Sequence, residues 1–360
     1  MNKIPSLDGV RAVAVLAVVL GHAEFLPISP SSLGVTIFFF LSGYLITTLL
    51  RLEHEGHGRI SLRDFYLRRA IRIFPSMYLV LVVAVLLHAT TSLAEHSLSA
   101  SGVVGTGLFG ANYMQVFGGE NALPLGTGIY WSLAVEEHFY LLFPLLYIGL
   151  WKVSTRRRDH AAVLASLCGA ILVWRLILVF GVGHSNAMDW AYYATDARAD
   201  SILFGCLLAV AANPFLDRAG GRPVAVWVLP AGLAMIVGGA LLPEKLNHTI
   251  GFSMIGLALM LVFTAIVACP TTIVGRILNW KPIAYLGVLS YGMYLVHRLI
   301  QISIDEYVPA ARPVTIVLGV VGTIAAAYML RVGVERPFAG LRRRLAHTAA
   351  QAVGVGASTR

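Results

Sequence analysis

The sequence predicts an all-α fold, a polytopic transmembrane helical bundle of about ten spans. First, hydrophobic residues make up 58% of its 360 residues and charged residues only 12%, against roughly 45–50% and about 25% in soluble domains. Second, the mean hydropathy is +0.77. Third, the apolar residues are gathered into long stretches. These observations exclude a soluble enzyme, a disordered chain and a disulfide-stabilised scaffold.

Ten apolar stretches account for the predicted spans, because a transmembrane helix needs about 20 mostly apolar residues. They are residues 9–27, 33–50, 73–92, 130–150, 161–181, 198–213, 224–242, 250–269, 283–304 and 313–331. The sixth stretch is short and begins with polar residues. Segment 102–117 is apolar but short and rich in glycine, so we interpret it as a loop, with a re-entrant or interfacial position as the alternative.

The positive charges of the connections predict the orientation, since cytoplasmic loops carry an excess of Lys and Arg. With the N-terminus inside, the cytoplasmic side carries Arg51, Arg59, Arg63, Arg68, Arg69, Arg72, Lys152, Arg156–Arg158, Arg218, Arg222, Arg276, Lys281, Arg336 and Arg342–Arg344. The other side carries only Arg198, Lys245 and Arg312 near its surface. Both termini are therefore predicted to be cytoplasmic. The net charge of +9 reflects this topology, and nucleic acid is not expected as a partner.

One membrane domain is expected over residues 1–338, followed at 339–360 by a basic cytoplasmic tail that we expect to be disordered. The three cysteines, Cys168, Cys206 and Cys269, lie in apolar stretches without a CxxC pair or a Cys/His cluster at zinc spacing. No metal site and no bound cofactor are therefore expected.

Ionisable residues inside spans are the first candidates for function, because they are costly there. In the first span, Arg11 and His22 are eleven residues apart, so both lie on one helix face, about 16 Å apart along the axis. Singly, Arg11 would be explained by snorkelling to headgroups and His22 by a bond to a backbone carbonyl. Together they favour a polar cavity.

The fourth span carries an acidic pair, Glu136 and Glu137, followed by His138. Adjacent helical residues point about 100° apart, so at most one carboxylate faces a given cavity. A buried carboxylate there would hold the tautomer of His22 and stabilise its imidazolium. The alternative is an interfacial helix start, where acidic residues favour the positive end of the helix dipole.

Two further clusters are less specific. Asp196, Arg198 and Asp200 begin the sixth span, and their spacing allows internal ion pairs, so a structural role is at least as plausible as catalysis. His297 and Arg298 lie in the outer half of the ninth span. A second cavity-lining histidine and a packed or snorkelling pair both fit that position.

Segment 59–75 has apolar residues at helical spacing, which predicts an amphipathic helix against the membrane. Arg68, Arg69 and Arg72 lie in its C-terminal half. Attraction to anionic lipid explains them most simply. The alternative is an anchor for a phosphate-bearing donor, because arginine can hold phosphate through two hydrogen bonds.

Seven motifs follow one another along the chain. They are SLDGVRAVAVLAVVLGH from residue 6, GVTIFFFLSGYLIT at 34–47, FYLRRAIRIFP at 65–75, WSLAVEEHFYLLFP at 131–144, DARADSILFG from 196, LSYGMYLVH from 289 and VERPF at 334–338. In this order they resemble the integral-membrane acyltransferase family 3. The resemblance runs from residue 6 to about 338, and it is the order of the motifs that makes it specific.

The resemblance implies transfer of an acyl group, often acetyl, from acyl-CoA as co-substrate to a hydroxyl. The acceptors it implies are carbohydrates or lipid-linked glycans, such as lipopolysaccharide O-antigen, exopolysaccharide or peptidoglycan sugars, and sometimes macrolides. It implies essential roles for Arg11 and His22, and its other motifs fall on Ser42, Gly43, Arg69, Arg72, Glu136 and Glu137. His138 and Asp196 stand where glutamine and histidine are more usual, which leaves the acceptor preference open. We expect a multi-pass protein of a bacterial inner (plasma) membrane.

Taken together, these observations suggest a mechanism. We expect Arg68, Arg69 and Arg72 to bind the CoA phosphates and Arg11 to guide the donor near its thioester. His22 would act as general base on the acceptor hydroxyl. Glu137, or less favourably Glu136, would orient it. Glu136 and Ser42 are otherwise assigned to substrate binding.

Other readings remain open at this level. Direct transfer and an acyl-enzyme intermediate are both compatible with the residues. A transporter or flippase for a lipid-linked or anionic solute is the alternative from another class, although the internal repeats typical of transporters are not visible. A structural subunit would leave the Arg11–His22 pair unexplained.

Overall fold

The structure, a computed structural model, describes residues 4–25, 31–93, 97–181, 183–217, 224 and 226–340. Among these residues the secondary structure is helical throughout. The helices are α1 Leu7–His22, α2 Ser31–His57, α3 Leu62–Thr90, α4 Ala100–Gly107, α5 Ala111–Gly118, α6 Tyr130–Val153, α7 Arg157–Leu176, α8 Ala187–Tyr193, α9 Thr195–Ala211, α10 Val228–Ala240, α11 Glu244–Leu246, α12 Phe252–Ala268, α13 Ile273–Leu278, α14 Lys281–Tyr307 and α15 Arg312–Leu330. A 3₁₀ turn occupies Glu120–Ala122, and π-helical turns occupy Ile177–Gly181, Asn247–Gly251 and Arg331–Glu335.

Seven helices of the described chain are long and apolar enough to cross a membrane. They are α2, α3, α6, α7, α12, α14 and α15, of which α7, α12 and α15 are counted with the helical segments that adjoin them, as Arg157–Gly181, Glu244–Ala268 and Arg312–Gly340. The three other predicted spans correspond to shorter helices, α1 with 16 residues, α9 with 17 and α10 with 13. The all-helical membrane fold is confirmed, whereas the total of ten spans and the cytoplasmic termini stay predictions.

Two segments differ from the prediction. Helix α3 runs unbroken from residue 62 through Pro75 into the third span, so the amphipathic segment is not a separate surface helix. Its buried face, which includes Phe65, Ile73 and Met77, continues across the proline and packs on the bundle. Segment 102–117 is not a loop but forms α4 and α5, each of eight residues and therefore about 12 Å long, too short to cross a bilayer.

Glycines allow the central helices to approach closely. A Cβ at Gly43 of α2 would lie 2.0 Å from the Ile202 carbonyl oxygen of α9, and one at Gly205 would lie 2.0 Å from the Phe40 carbonyl oxygen. In the same way, a Cβ at Gly287 of α14 would overlap the carbonyl oxygen of Asp8 in α1. Small residues at crossings are typical of membrane helices. They bring α1 and α2 against α14 and α9 in the centre of the bundle.

Residues 341–360, with Arg342–Arg344 of the predicted tail, lie outside the described residues, as do Arg218 and Arg222.

Candidate active site

Helix α1 places Arg11 at the meeting point of two cavities. The inner cavity, of about 100 Å³, lies between α1, α2, α3, α6 and α14. The outer cavity, of about 290 Å³, lies between α1, α3, α14 and the end of α15. Arg11, Arg72, Ser290 and Tyr291 line both, so the two cavities adjoin. Arg11 is held by Asp8, whose Oδ1 lies 2.8 Å from its guanidinium.

The inner cavity combines three guanidinium groups with apolar walls. Its cationic residues are Arg11, Arg69 and Arg72. The rest of its wall is formed by Val35, Phe38, Phe39, Leu41, Ser42, Leu45, Ile73, Ser132, Leu133, Glu136, Tyr140, Ser290, Tyr291 and Tyr294. Positive charge against an apolar wall suits a ligand with an anionic end and an uncharged, flexible arm.

Glu136 is held in the inner cavity by two hydroxyl groups. Ser42 Oγ donates to Glu136 Oε1 at 2.9 Å, and the Tyr140 hydroxyl donates to Oε2 at 2.8 Å. The guanidinium of Arg69 lies over the Tyr140 ring, 4.7 Å from its centroid. Tyr140 follows Glu136 by one helical turn, so the two side chains lie on the same face of α6. Tyr140 was not among the predicted site residues, although this spacing within WSLAVEEHFY indicates the contact.

The three arginines predicted to bind phosphate are not equivalent. Arg69 and Arg72 line the inner cavity. Arg68 instead donates to Glu53 Oε2 at 3.4 Å, with 46% of its side chain exposed, and is absent from the lining of both cavities. Arg68 and Arg69 point about 100° apart around α3, and Arg68 is held on its side by Glu53 of α2.

His22 lies beyond the inner cavity, at the far end of α1, and its ring is beside that of His297. His22 Nδ1 is 2.9 Å from the Val18 carbonyl oxygen and 3.4 Å from His297 Nε2. His297 is fully buried, and its Nδ1 lies 2.7 Å from the Tyr294 carbonyl oxygen. Sequence reasoning had noted His297 but had not connected it with His22.

The hydrogen bonds of this pair define the tautomers. A carbonyl oxygen accepts only, so His297 Nδ1 carries the proton and its Nε2 is an acceptor in the neutral ring. His22 Nδ1 then donates to both Val18 and His297. The basic lone pair of His22 is consequently on Nε2.

Glu137 does not lie where the predicted mechanism needs it. Its electrostatic partners are Glu136 and Arg69, and its Oε1 is buried without a hydrogen-bond partner. Within the described chain no contact joins Glu137 to His22, and His297 occupies the orienting position instead. Both acidic residues of α6 interact electrostatically with Arg69.

Tyr294 lies next to both the inner cavity and the histidine pair. Its ring lines the cavity and lies 5.7 Å from the His297 ring, centroid to centroid. Its hydroxyl lies 2.7 Å from the Ile129 carbonyl oxygen and 2.6 Å from Ser132 Oγ. Arg11 and His22 thus share a helix face, as the spacing predicted, but only Arg11 lines the cavity.

The DARADS cluster has a structural arrangement. Asp200 forms a fully buried ion pair with Arg175, at 2.6 Å. Asp196 accepts hydrogen bonds from the indole nitrogens of Trp174 and Trp190, at 2.6 and 3.0 Å. Arg198 is fully buried, with its guanidinium 3.5 Å from the Phe252 ring centroid. In the chain that the structure describes, no group of three or more His, Cys, Asp or Glu side chains is placed to hold a metal ion.

Comparison with known proteins gives three results. A sequence model of the family described as "Acyltransferase domain" matches residues 4–332. The chain is 30% identical over 374 residues to "Putative peptidoglycan O-acetyltransferase YrhL" of Bacillus subtilis, across 93% of this chain and 54% of that protein. It is 30% identical over 310 residues to "Peptidoglycan O-acetyltransferase OatA" of Listeria monocytogenes, across 82% and 49%. The chain thus spans about half the length of these relatives. No solved structure matches it.

Proposed function

The chain belongs to the acyltransferase family whose model matches nearly its whole length, and we propose that it transfers an acetyl group from acyl-CoA to a glycan hydroxyl. It is a multi-pass protein of a bacterial membrane. The observation that carries the proposal is the inner cavity, where Arg11, Arg69 and Arg72 share a lining with apolar side chains.

The acyl-CoA donor is proposed from the chemistry of the two cavities. Its phosphates are anionic and cannot enter the hydrocarbon region, whereas its pantetheine arm is long and uncharged. A lining that combines guanidinium groups with apolar side chains matches that division. The arginine-rich end is also the end that the positive charges predict to be cytoplasmic, where acyl-CoA is found.

His22 is proposed as the general base. Its Nε2 takes the proton of the acceptor hydroxyl, and the hydroxyl oxygen attacks the thioester carbonyl. The carbon–sulfur bond then breaks, and the proton passes from His22 to the thiolate, which leaves as free CoA. His297 keeps the proton of His22 on Nδ1 through this cycle, in the manner of the third member of a hydrolase triad.

The acyl end of the donor must pass Tyr294 to reach His22. That ring lines the cavity and is 5.7 Å from the His297 ring, centroid to centroid. For the ring to turn aside, its hydroxyl must release Ile129 and Ser132. We propose that this ring keeps water from the thioester until an acceptor is present.

Peptidoglycan is the proposed acceptor, because both relatives described above carry it in their names. Lipopolysaccharide O-antigen, exopolysaccharide and macrolides are the competing acceptors. A deletion strain complemented with the wild-type chain should gain acetyl groups on muropeptides, seen by mass spectrometry. If acetyl groups appeared only on another glycan, peptidoglycan would be the wrong acceptor, and the proposed transferase reaction would still stand.

The reaction itself is tested with purified protein in liposomes, acetyl-CoA labelled in the acetyl group, and muropeptide acceptors. His22→Ala should lower kcat by about 10²–10⁴-fold, and Arg11→Ala should also impair transfer. Arg158→Gln, at a side chain that is 75% exposed, is the matched control and should retain full activity. Full activity of His22→Ala in correctly inserted protein would contradict the assignment. Solute flux without acetyl transfer would support the transporter instead.

A further inference from the structure

The outer cavity is lined by more charged side chains than the inner one, and those contributed by the end of α15 have not been assigned a role. Four arginines line it, Arg11, Arg72, Arg331 and Arg336, against two carboxylates, Asp8 and Glu335. Asp8 lies 2.8 Å from Arg11, and Glu335 lies 3.6 Å from Arg331. The cavity therefore has a net positive lining.

The VERPF motif forms one wall of this cavity through an irregular turn. Between Arg331 and Glu335 the helix is π-helical, and the Arg336 amide donates to the Arg331 carbonyl, five residues earlier. Pro337 follows and has no amide to donate to the preceding turn, although the helix continues to Gly340. Single π turns are rare and occur frequently at functional sites. Here the turn brings both Arg331 and Arg336 to the cavity.

Arg331 keeps unused hydrogen-bonding capacity in this wall. The Arg331 side chain is 27% exposed, and its guanidinium pairs with Glu335. The guanidinium also donates a hydrogen bond of 3.4 Å to the Val288 carbonyl oxygen. Its Nε is buried without a hydrogen-bond partner. A buried guanidinium nitrogen without a partner is costly, and an anion in the cavity would satisfy it.

We infer that the outer cavity binds the phosphates of the donor's nucleotide end, with Arg331 and Arg336 of α15 and its continuation completing a site begun by Arg72. The inference rests on the proposed function. The adenosine end of CoA carries a 5′-diphosphate and a 3′-phosphate, which need several guanidinium groups at once. The adjoining inner cavity receives the pantetheine arm. Arg68 is paired with Glu53. Arg331 and Arg336 therefore take over the phosphate-binding role that was predicted for Arg68.

The test compares CoA with pantetheine, which has the same thiol arm and no phosphate. Affinities are measured by equilibrium dialysis on the full chain in phosphatidylcholine nanodiscs. Arg336→Gln should weaken CoA binding by about tenfold, the loss expected for a charged hydrogen bond, and leave pantetheine unchanged. The double variant Arg331→Gln/Arg336→Gln should lose more, and Arg158→Gln should match the wild type.

The outcomes separate this inference from the proposed function. If the wild type binds no CoA, the acyl-CoA donor itself is wrong. If it binds CoA and Arg336→Gln binds it equally well, the donor stands and the inference is overturned. Equal losses for CoA and pantetheine would indicate collapse of the cavity and would also overturn it. The dialysis is repeated in nanodiscs that contain phosphatidylglycerol. If the wild type then binds CoA no more tightly than pantetheine, the arginines bind anionic lipid headgroups instead, and the inference is overturned.

Discussion

The neutral His297 ring determines which nitrogen of the His22 ring carries the proton. The His297 side chain is fully buried, and its only ring proton is taken by the Tyr294 carbonyl oxygen. Its Nε2 therefore faces His22 as an acceptor. Serine hydrolases use a carboxylate for this task, which also stabilises the imidazolium by charge. In the proposed mechanism a neutral histidine orients the base without a buried negative charge, which the membrane interior disfavours.

This arrangement predicts different results for two substitutions of His297. His297→Leu removes the acceptor and should lower kcat about tenfold or more while KM for the donor changes little, because an orienting partner acts on the chemical step. His297→Gln keeps an amide oxygen near the Nε2 position and should recover much of that loss. Steady-state kinetics with acetyl-CoA provides the measurement. Equal loss in both variants, or a rise in KM alone, would argue against a positioning role.

At the scale of elements, the crossing of α2 and α9 is a close backbone contact in the bundle core. Gly43 and Gly205 each meet a carbonyl oxygen of the opposite helix at the place where a Cβ would lie. Backbone atoms cannot move aside as flexible side chains do. Ser42, next to Gly43, is thereby brought to Glu136, so the crossing also positions part of the inner cavity.

Gly205→Ala should therefore destabilise the bundle by about 1–3 kcal/mol, the usual range for overpacking. Gly149→Ala in α6 is the matched control, because no atom lies within 4 Å of its added Cβ. That control should leave stability equal or slightly higher, since alanine favours a helix. Thermal unfolding in detergent measures both. A Gly205→Ala protein as stable as the control would show that the two helices can separate freely.

A second link between elements lies in the connection after α9. Asp217 accepts hydrogen bonds from Arg51 of α2, from Arg157 of α7 at 2.8 Å and from the Asn213 amide at 2.9 Å. Burial acts to raise the pKa of the Asp217 carboxyl, but these hydrogen bonds outweigh it and lower the pKa to about 2. The ionised carboxylate thus joins three segments at one end of the bundle.

The lowered pKa predicts how this link depends on pH. A carboxyl whose pKa falls on folding stabilises the fold above its unfolded value, 3.8, and loses that contribution as pH falls towards 2. Asp217→Asn should therefore unfold at a lower temperature than the wild type at pH 7. The difference should shrink between about pH 4 and pH 2. A difference that stayed constant over this range would mean that the charge of Asp217 is not what matters.

At the scale of the whole molecule, the start of the first described helix lies beside the end of the last one. Asp8 near the start of α1 and Arg336 beyond α15 line the same cavity. Both ends of the described chain are therefore on one side of the bundle. The positive charges predict that this side is cytoplasmic, and the proposed donor site depends on that orientation.

Labelling of single cysteines tests the orientation. In a background with Cys168, Cys206 and Cys269 replaced by alanine, Thr155→Cys and Ser185→Cys probe two exposed connections. A membrane-impermeant maleimide should label Ser185→Cys in intact spheroplasts and Thr155→Cys only after lysis. The reverse pattern would place the arginine cavities outside the cell, where acyl-CoA is absent, and would contradict the proposed donor.

The sequence by itself determined the helical membrane fold and the candidate residues, because both depend on local properties. Apolar stretches of span length predict helices, and few charges remain inside them, so Arg11, His22 and Glu137 could be identified individually. Spacing on one helix also predicted that Arg11 and His22 share a face. None of this requires knowledge of which helices are neighbours.

Only the tertiary structure decided which of these residues meet. It placed His297 rather than Glu137 beside His22, separated Arg68 from Arg69 and Arg72, and brought Arg331 and Arg336 to a cavity that begins at Arg11. Each result depends on the rotation of one helix against another from a distant part of the chain. That rotation is set by close contacts such as those of Gly43, Gly205 and Gly287, whose partners no local pattern in the sequence specifies.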